Sequence, residues 1–121
     1  CIFEGIAFAA RDCFENMDEF PETVALVGGI GRSSAFATIL ASILQRDIII
    51  REIEEAGALG AAMFAAVGSR SFSGFSEASK IWVGQAKKQI VQPNQSEKLA
   101  YKTAFERYRA TRSALEPVWG L

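Results

Sequence analysis

Thr23-Val24-Ala25-Leu26-Val27-Gly28-Gly29-Ile30-Gly31-Arg32-Ser33-Ser34 is the stretch whose reading decides the fold. Its first five residues form a short run, partly β-branched and free of polar alternation, the pattern of a strand buried on both faces of a parallel sheet. The run ends on Gly28-Gly29, and a helix follows from Ser33 or Ser34, either of which can cap its first amides. That helix is expected to bury Phe36, Ile39, Leu40, Ile43 and Leu44 and to carry Arg46 in its last turn. Asp47-Ile48-Ile49-Ile50 reads as a second short buried strand. Strand, glycine turn, helix and strand over residues 24–50 make a right-handed βαβ unit, so the fold class is α/β.

Working outward, Ile6, Ala9, Ala10, Cys13, Phe14 and Met17 recur at helical spacing from Ile2, with Glu4, Arg11, Asp12, Glu15 and Asp18 on the other face. Phe20-Pro21-Glu22 breaks that helix before the strand. Beyond the second strand, Glu52, Glu54 and Glu55 lead into a third helix, where acidic side chains suit the positive end of the dipole. Residues 56–66 are almost all small, and Gly57 and Gly60 each cost about 1 kcal/mol relative to alanine in a helix. Such glycines are expected to let the helix pack against the glycine turn or its neighbouring helix.

Residues 69–74 form a serine and glycine loop, and Ser76 is expected to cap a fourth helix running to about Lys88. Asn94 with Glu97 opens a last helix in the manner of a capping box. Tyr101, Phe105, Tyr108 and Leu115 mark its buried stripe, and Pro117 is expected to end it. Two strands are too few for this much helix, so the sheet is expected to be incomplete. The missing strands are expected upstream of Cys1 or from another chain. The open edges beside residues 24–27 or 48–50 then call for a neighbour, whether in a homo-oligomer or in association with an N-terminal fragment.

Composition narrows the chemistry. With 121 residues, half of them apolar, the chain reads as one soluble globular unit. Thirteen basic against 14 acidic residues leave a net charge of -1 and no electrostatic footprint for nucleic acid. The absence of histidine, with only Cys1 and Cys13 as thiols, removes the usual zinc, copper and haem ligand sets and every Ser-His or Cys-His nucleophile pair. Cys1 and Cys13 sit roughly 18 Å apart if helical, too far to bridge, which fits a reduced, cytoplasmic chain. The longest uncharged apolar run, residues 56–67, falls short of the ~20 residues that a membrane span requires. The opening Cys1-Ile2-Phe3, without an initiator methionine, reads as a cut from something longer.

The glycine turn is the candidate site. At the carboxyl end of a buried strand and the amino end of a helix, glycines let a ligand come within contact distance of the backbone, and outward amides welcome an anion. The same glycines also fit a purely structural turn. A further alternative reads Gly29-Ile30-Gly31 and Ser34 as a degraded dinucleotide fingerprint, with Glu52 as the acid for a ribose hydroxyl. Ser34 then replaces the third glycine. A non-catalytic binding or assembly module is the reading from a different class.

Nearly end to end, the chain resembles the C-terminal part of the FGGY family of carbohydrate kinases, which are actin-like sugar kinases. The resemblance is carried by Glu4-Gly5-Ile6-Ala7-Phe8 with Arg11-Asp12, by Gly28-Gly29-Ile30-Gly31-Arg32-Ser33, which is similar to the family's adenosine motif, and by Glu55-Ala56-Gly57-Ala58-Leu59-Gly60-Ala61-Ala62. Residues 72–78 and the ending Tyr108-Arg109 to Pro117-Val118-Trp119 fit as well, the ending leaning to the erythritol, xylulose and ribulose branch over the glycerol one. Ala41-Ser42 and Arg46-Asp47 depart from the family pattern at the end of the second helix.

The resemblance implies a partial actin-like, ribonuclease H-like ATPase domain: a βαβ unit, flanking helices and an incomplete sheet. Residues 1–121 would be a C-terminal fragment of the second, nucleotide-binding domain, with the N-terminal domain absent. It implies that the backbone of Gly28, Gly29 and Ile30 meets the α-phosphate and ribose of ATP or ADP, that Ser33 sits beside the adenine, and that Arg32 contacts phosphate or ribose, or is merely solvated. Glu55 would cap its helix or line the nucleotide cleft. The catalytic base, the magnesium ligands and the sugar or polyol pocket lie outside these residues, so the fragment alone is expected to be inactive.

Overall fold

A computed structural model of the chain describes residues 2–53 and 55–120. Helix α1 (Ile2–Glu15) precedes strand β1 (Thr23–Leu26), a 3-10 turn (Gly29–Arg32), helix α2 (Ser34–Leu44) and strand β2 (Asp47–Arg51). Helices α3 (Ala56–Gly68) and α4 (Phe75–Trp82), strand β3 (Lys88–Val91), a second 3-10 turn (Gln95–Glu97) and helix α5 (Lys98–Trp119) complete the order. The class is α/β, as expected.

β1 and β2 pair in parallel with Leu26 opposite Ile50, and the crossover between them is α2. Side chains alternate across a strand, so Val24, Leu26, Ile48 and Ile50 share one face, and α2 covers it with Phe36, Ala37, Leu40, Ala41, Ile43 and Leu44. Ile43 and Ile48 are fully buried, each contributing about 1.5–3 kcal/mol by leaving water. The opposite face carries Ala25, Ile49 and Ile90 in register, and Ala25 and Ile90 are exposed. Burial on both faces, expected from the apolar run, is therefore corrected: within the described residues this sheet is covered on one side.

The expected two-stranded sheet is also corrected. β3 adds antiparallel to β2, Ile49 opposite Ile90, giving the order β1-β2-β3. Residues 48–50 are thus central, and within the chain the outer edges are those of β1 and β3. The fourth helix does not reach Lys88, because the chain turns at Gly84. A Cβ built there would lie 2.2 Å from the Lys80 carbonyl oxygen, so only glycine fits. Gly84 and Val83 both donate to the Ser79 carbonyl, which closes the helix. Ser76 is not the cap of α4, whose N-cap is Gly74. The Glu77 carboxylate instead accepts from the Ser73 amide and hydroxyl, at 2.8 and 2.6 Å.

α1 packs on α2 and α5, but turned by one residue, roughly 100° about its axis, from the expected stripe. Ala7, Phe8 and Asp12 are buried, Ala10 and Phe14 pack beside them, while Ile6, Ala9, Cys13 and Met17 are exposed. Both registers are apolar; what decides between them lies on α5. Phe8 meets the rings of Tyr101, Phe105 and Tyr108, and Asp12 pairs with Arg112 and, at 3.8 Å, with Arg109. Arg11 stands 4.2 Å above the Phe105 ring and donates to the Ile43 carbonyl. Asp12, expected on the solvent face, is instead the carboxylate that fastens α5.

Asn94 caps the second 3-10 turn by accepting from Ser96, and its own amide donates to the buried Ser42 hydroxyl. α5 runs through Pro117 and ends at Gly120, a left-handed C-cap with φ 67°. Proline removes one amide there, but only the last turn follows it, so the expected stop falls three residues later. Leu115, expected in the buried stripe, is exposed. Arg46 lies beyond α2, which Gln45 closes in the left-handed region, and its guanidinium donates to the Pro21 carbonyl. Cys13 is a free thiol; Cys1 and Glu54 lie outside the described residues.

The glycines yield one test. Gly84→Ala is expected to destabilise the α4 turn by about 1–3 kcal/mol. Gly5→Ala, inside α1 with nothing within 4 Å of the added methyl, is expected to stabilise by about 0.5–1 kcal/mol. Thermal unfolding and amide exchange read both, and shifts of the same sign contradict this account of Gly84. Titration gives a second test. The Ser73 hydroxyl, then its amide, holds the Glu77 carboxyl below the 4.5 of an unperturbed glutamate. Because folding lowers this pKa, the stabilisation is complete above pH 4.5 and fades as pH falls through the lower folded midpoint. A side-chain NMR titration should show that lowered midpoint, rising in Ser73→Ala; an identical midpoint in both proteins contradicts it.

Candidate functional site

The burial of α2 dictates what happens just before it. Leaving β1, the chain must reverse over a few residues, and Gly28 does so at φ 82°, where a side chain would be strained. Gly31 is buried, and a Cβ on it would lie 3.4 Å from the Leu26 carbonyl oxygen. Gly29–Arg32 form the 3-10 turn, which the glycine pattern alone did not foretell. Its amides divide. Gly31 donates to the Gly28 carbonyl at 3.0 Å and Ser33 to that of Ile30 at 3.1 Å, while those of Gly29 and Ile30 have no partner within the turn. Ser33 is the N-cap of α2, its hydroxyl accepting from the Phe36 amide at 3.2 Å.

The carboxyl end of β2 lies beside this turn because the strands run parallel. Together they open a cleft of about 470 Å³. Gly28, Gly31 and Arg32 form one wall, Ile50, Arg51, Glu52 and Ile53 the other, and Gln89 closes it from β3, where it pairs with Ile50. Nothing lies within 4 Å of a Cβ built on Gly28 or Gly29, so the backbone there faces open space. Arg51 donates to the Val83 carbonyl at 3.4 Å, whereas the Arg32 side chain is exposed and takes no partner among the described residues. The arrangement offers two guanidinium groups, unpaired amides and a small apolar floor: a place for an anionic tail on a flat, partly apolar body.

Of the residues singled out from sequence, Gly28 and Arg32 line the cleft, and Gly29, Ile30 and Ser33 sit on the turn beside it. Glu55 occupies the N-cap position of α3, yet its carboxylate makes no capping hydrogen bond, a correction to the capping role expected of it. Glutamate carries one methylene too many for the short reach to the N2 or N3 amide that serine and aspartate make. Gly57 and Gly60 likewise meet nothing within 4 Å, so close packing on the glycine turn or its helix is not found. Arg51, Ile53 and Gln89 were missed; Gln89 becomes visible only once β3 is recognised. A second cleft, about 230 Å³ between α1 and α5, holds Asp12, Arg109, Arg112 and Glu116, whose charges pair with one another and serve packing. Among the described residues no helix is long and apolar enough to cross a membrane.

The model of the FGGY family of carbohydrate kinases, C-terminal domain, matches residues 1–69, which include the turn and both parallel strands. The chain is 34% identical to the erythritol kinase of Brucella abortus (strain 2308) over 118 residues, 98% of this chain and 23% of that protein. It is 31% identical to the xylulose kinase of Bacillus subtilis (strain 168) over 111 residues, 89% of this chain and 22% of that protein. The solved structure of a ligand-bound xylulose kinase from Lactobacillus acidophilus superposes with a TM-score of 0.76 at 25% identity, covering 98% of this chain and 24% of that one. The chain thus spans about a quarter of the length of these relatives, and the matches do not favour a dinucleotide-binding unit. On the family match and on these identities, the chain belongs to the FGGY family of carbohydrate kinases.

Proposed function

We propose that the chain is the adenosine-binding, C-terminal part of an ATP-dependent carbohydrate kinase acting on a sugar or polyol, within an actin-like ATPase domain. One observation carries the reading: the glycine turn leaves β1 at the carboxyl end of the parallel strands and opens on the cleft, with the Gly29 and Ile30 amides unpaired among the described residues. A phosphate at that corner would take those two amides, and the Arg32 guanidinium would add charge. Ser33, its lone pair committed to Phe36, keeps a hydroxyl proton to donate toward the base. Glu55 stands just past the cleft wall, at the start of α3.

ATP supplies the transferred phosphoryl group; this chain's residues bind and orient its adenosine end. The hydroxyl acceptor, its base and the closure that excludes water fall to the rest of the kinase. Magnesium accompanies such transfer, and no group of three or more His, Cys, Asp or Glu forms a metal set among the described residues. The outer edge of β1, unpaired among the described residues, supports association with that further polypeptide or with a second copy. The free Cys13 thiol fits a cytoplasmic setting.

Calorimetry tests the reading. ADP and ATP are expected to bind, and Gly29→Val, whose side chain projects into open space where the ligand backbone contact would form, is expected to weaken binding at least tenfold without loss of helix content. Equal affinity in the two proteins contradicts it.

A further inference from the structure

Among the described residues, Glu52 is the one acidic side chain that lines the cleft, and no contact within the fold accounts for it. It is exposed and takes no hydrogen bond or ion pair from any described residue, although Arg32 and Arg51 line the same cleft. Its backbone, by contrast, is fixed: the Glu52 amide donates to the Lys87 carbonyl at 3.1 Å, extending the β2–β3 ladder one step past Arg51. The carboxylate is therefore free at its tip and held at its root.

Its place relative to the turn gives it a role. β2 is the strand next to and parallel with the one that carries the glycines, and Glu52 leaves its carboxyl end. Neighbouring strands lie about 4.8 Å apart, a separation that a nucleotide bridges between its α-phosphate and its ribose hydroxyls. In the doubly wound dinucleotide fold a carboxylate at the end of the strand beside the glycine turn receives those hydroxyls, and Glu52 holds the corresponding place at the end of β2. It accepts two O–H bonds at once, and a vicinal diol offers two donors. The neighbouring arginines suit the phosphate side of the same ligand.

The geometry points to Glu52 as the residue that selects ribonucleotides, its carboxylate accepting from the ribose 2′- and 3′-hydroxyls; the inference rests on the nucleotide reading above. A site built to bond a hydroxyl rejects the analogue that lacks it. The chain is expected to bind ADP about tenfold more tightly than 2′-deoxy-ADP and 3′-deoxy-ADP, an open cleft giving less discrimination than a buried one. In Glu52→Ala the preference should vanish, because ADP loses two hydrogen bonds and weakens more than either deoxy analogue, which loses one. Glu52→Gln, which keeps one acceptor oxygen, should fall between. A preference that survives in Glu52→Ala, or none in the unmutated chain, overturns the assignment while leaving nucleotide binding standing. If the unmutated chain binds none of the three, the nucleotide reading fails and takes this inference with it.

Discussion

The burial of α2 against one face of the sheet is the constraint on which the rest of the structure depends. Leu40, Ile43 and Leu44 share one core with Ile48 and Ile50, and α1, with Phe3 against Phe36, and α5 also pack on the helix. Once α2 is held there, β1 and β2 must run parallel on either side of it, and the chain must reverse between Leu26 and Ser34. Gly28 and Gly31 make that reversal fit. The candidate site is thus a by-product of core packing: it sits where it does because the helix cannot begin elsewhere.

A second layer of polar contacts fixes the helices that α2 cannot hold by burial alone. Asp12 fastens α1 to α5 through two arginines, Arg11 reaches from α1 to the carbonyl of Ile43, and Ser42 receives the amide of Asn94 before the last helix. α3 and α4 stand apart from this network. They pack on each other through Phe64 with Phe75, the loop between them adds Phe72 against Trp82, and no residue of α3 is buried. Their apolar residues, Phe64 and Ile81 among them, face outward in a chain that spans about a quarter of its relatives' length.

The βαβ unit and the glycine turn were legible because both are local: β-branched runs, a capping serine and glycines in order need no tertiary partner to be read. The face of α1 was not, since Ile6-Cys13-Met17 and Ala7-Phe8 offer two apolar stripes and only α5, about a hundred residues later, chooses between them. β3 was missed for a related reason. Lys88-Gln89-Ile90-Val91 carries two apolar residues and becomes a strand because β2 offers it an open edge. With β3 unseen, Gln89 could not be placed in the cleft, and Glu52 was a site candidate only within the dinucleotide alternative.

Everything said of function requires that the unpaired amides of the glycine turn receive a phosphate. The most direct measurement is an amide-resolved NMR titration of the nitrogen-15-labelled chain with ADP. The account predicts that the Gly29 and Ile30 amide signals move first and furthest, with Arg32 and Glu52 following, while those of α5 stay in place. Signals of Gly29 and Ile30 that remain still at saturating ADP, whether or not others shift, would contradict it.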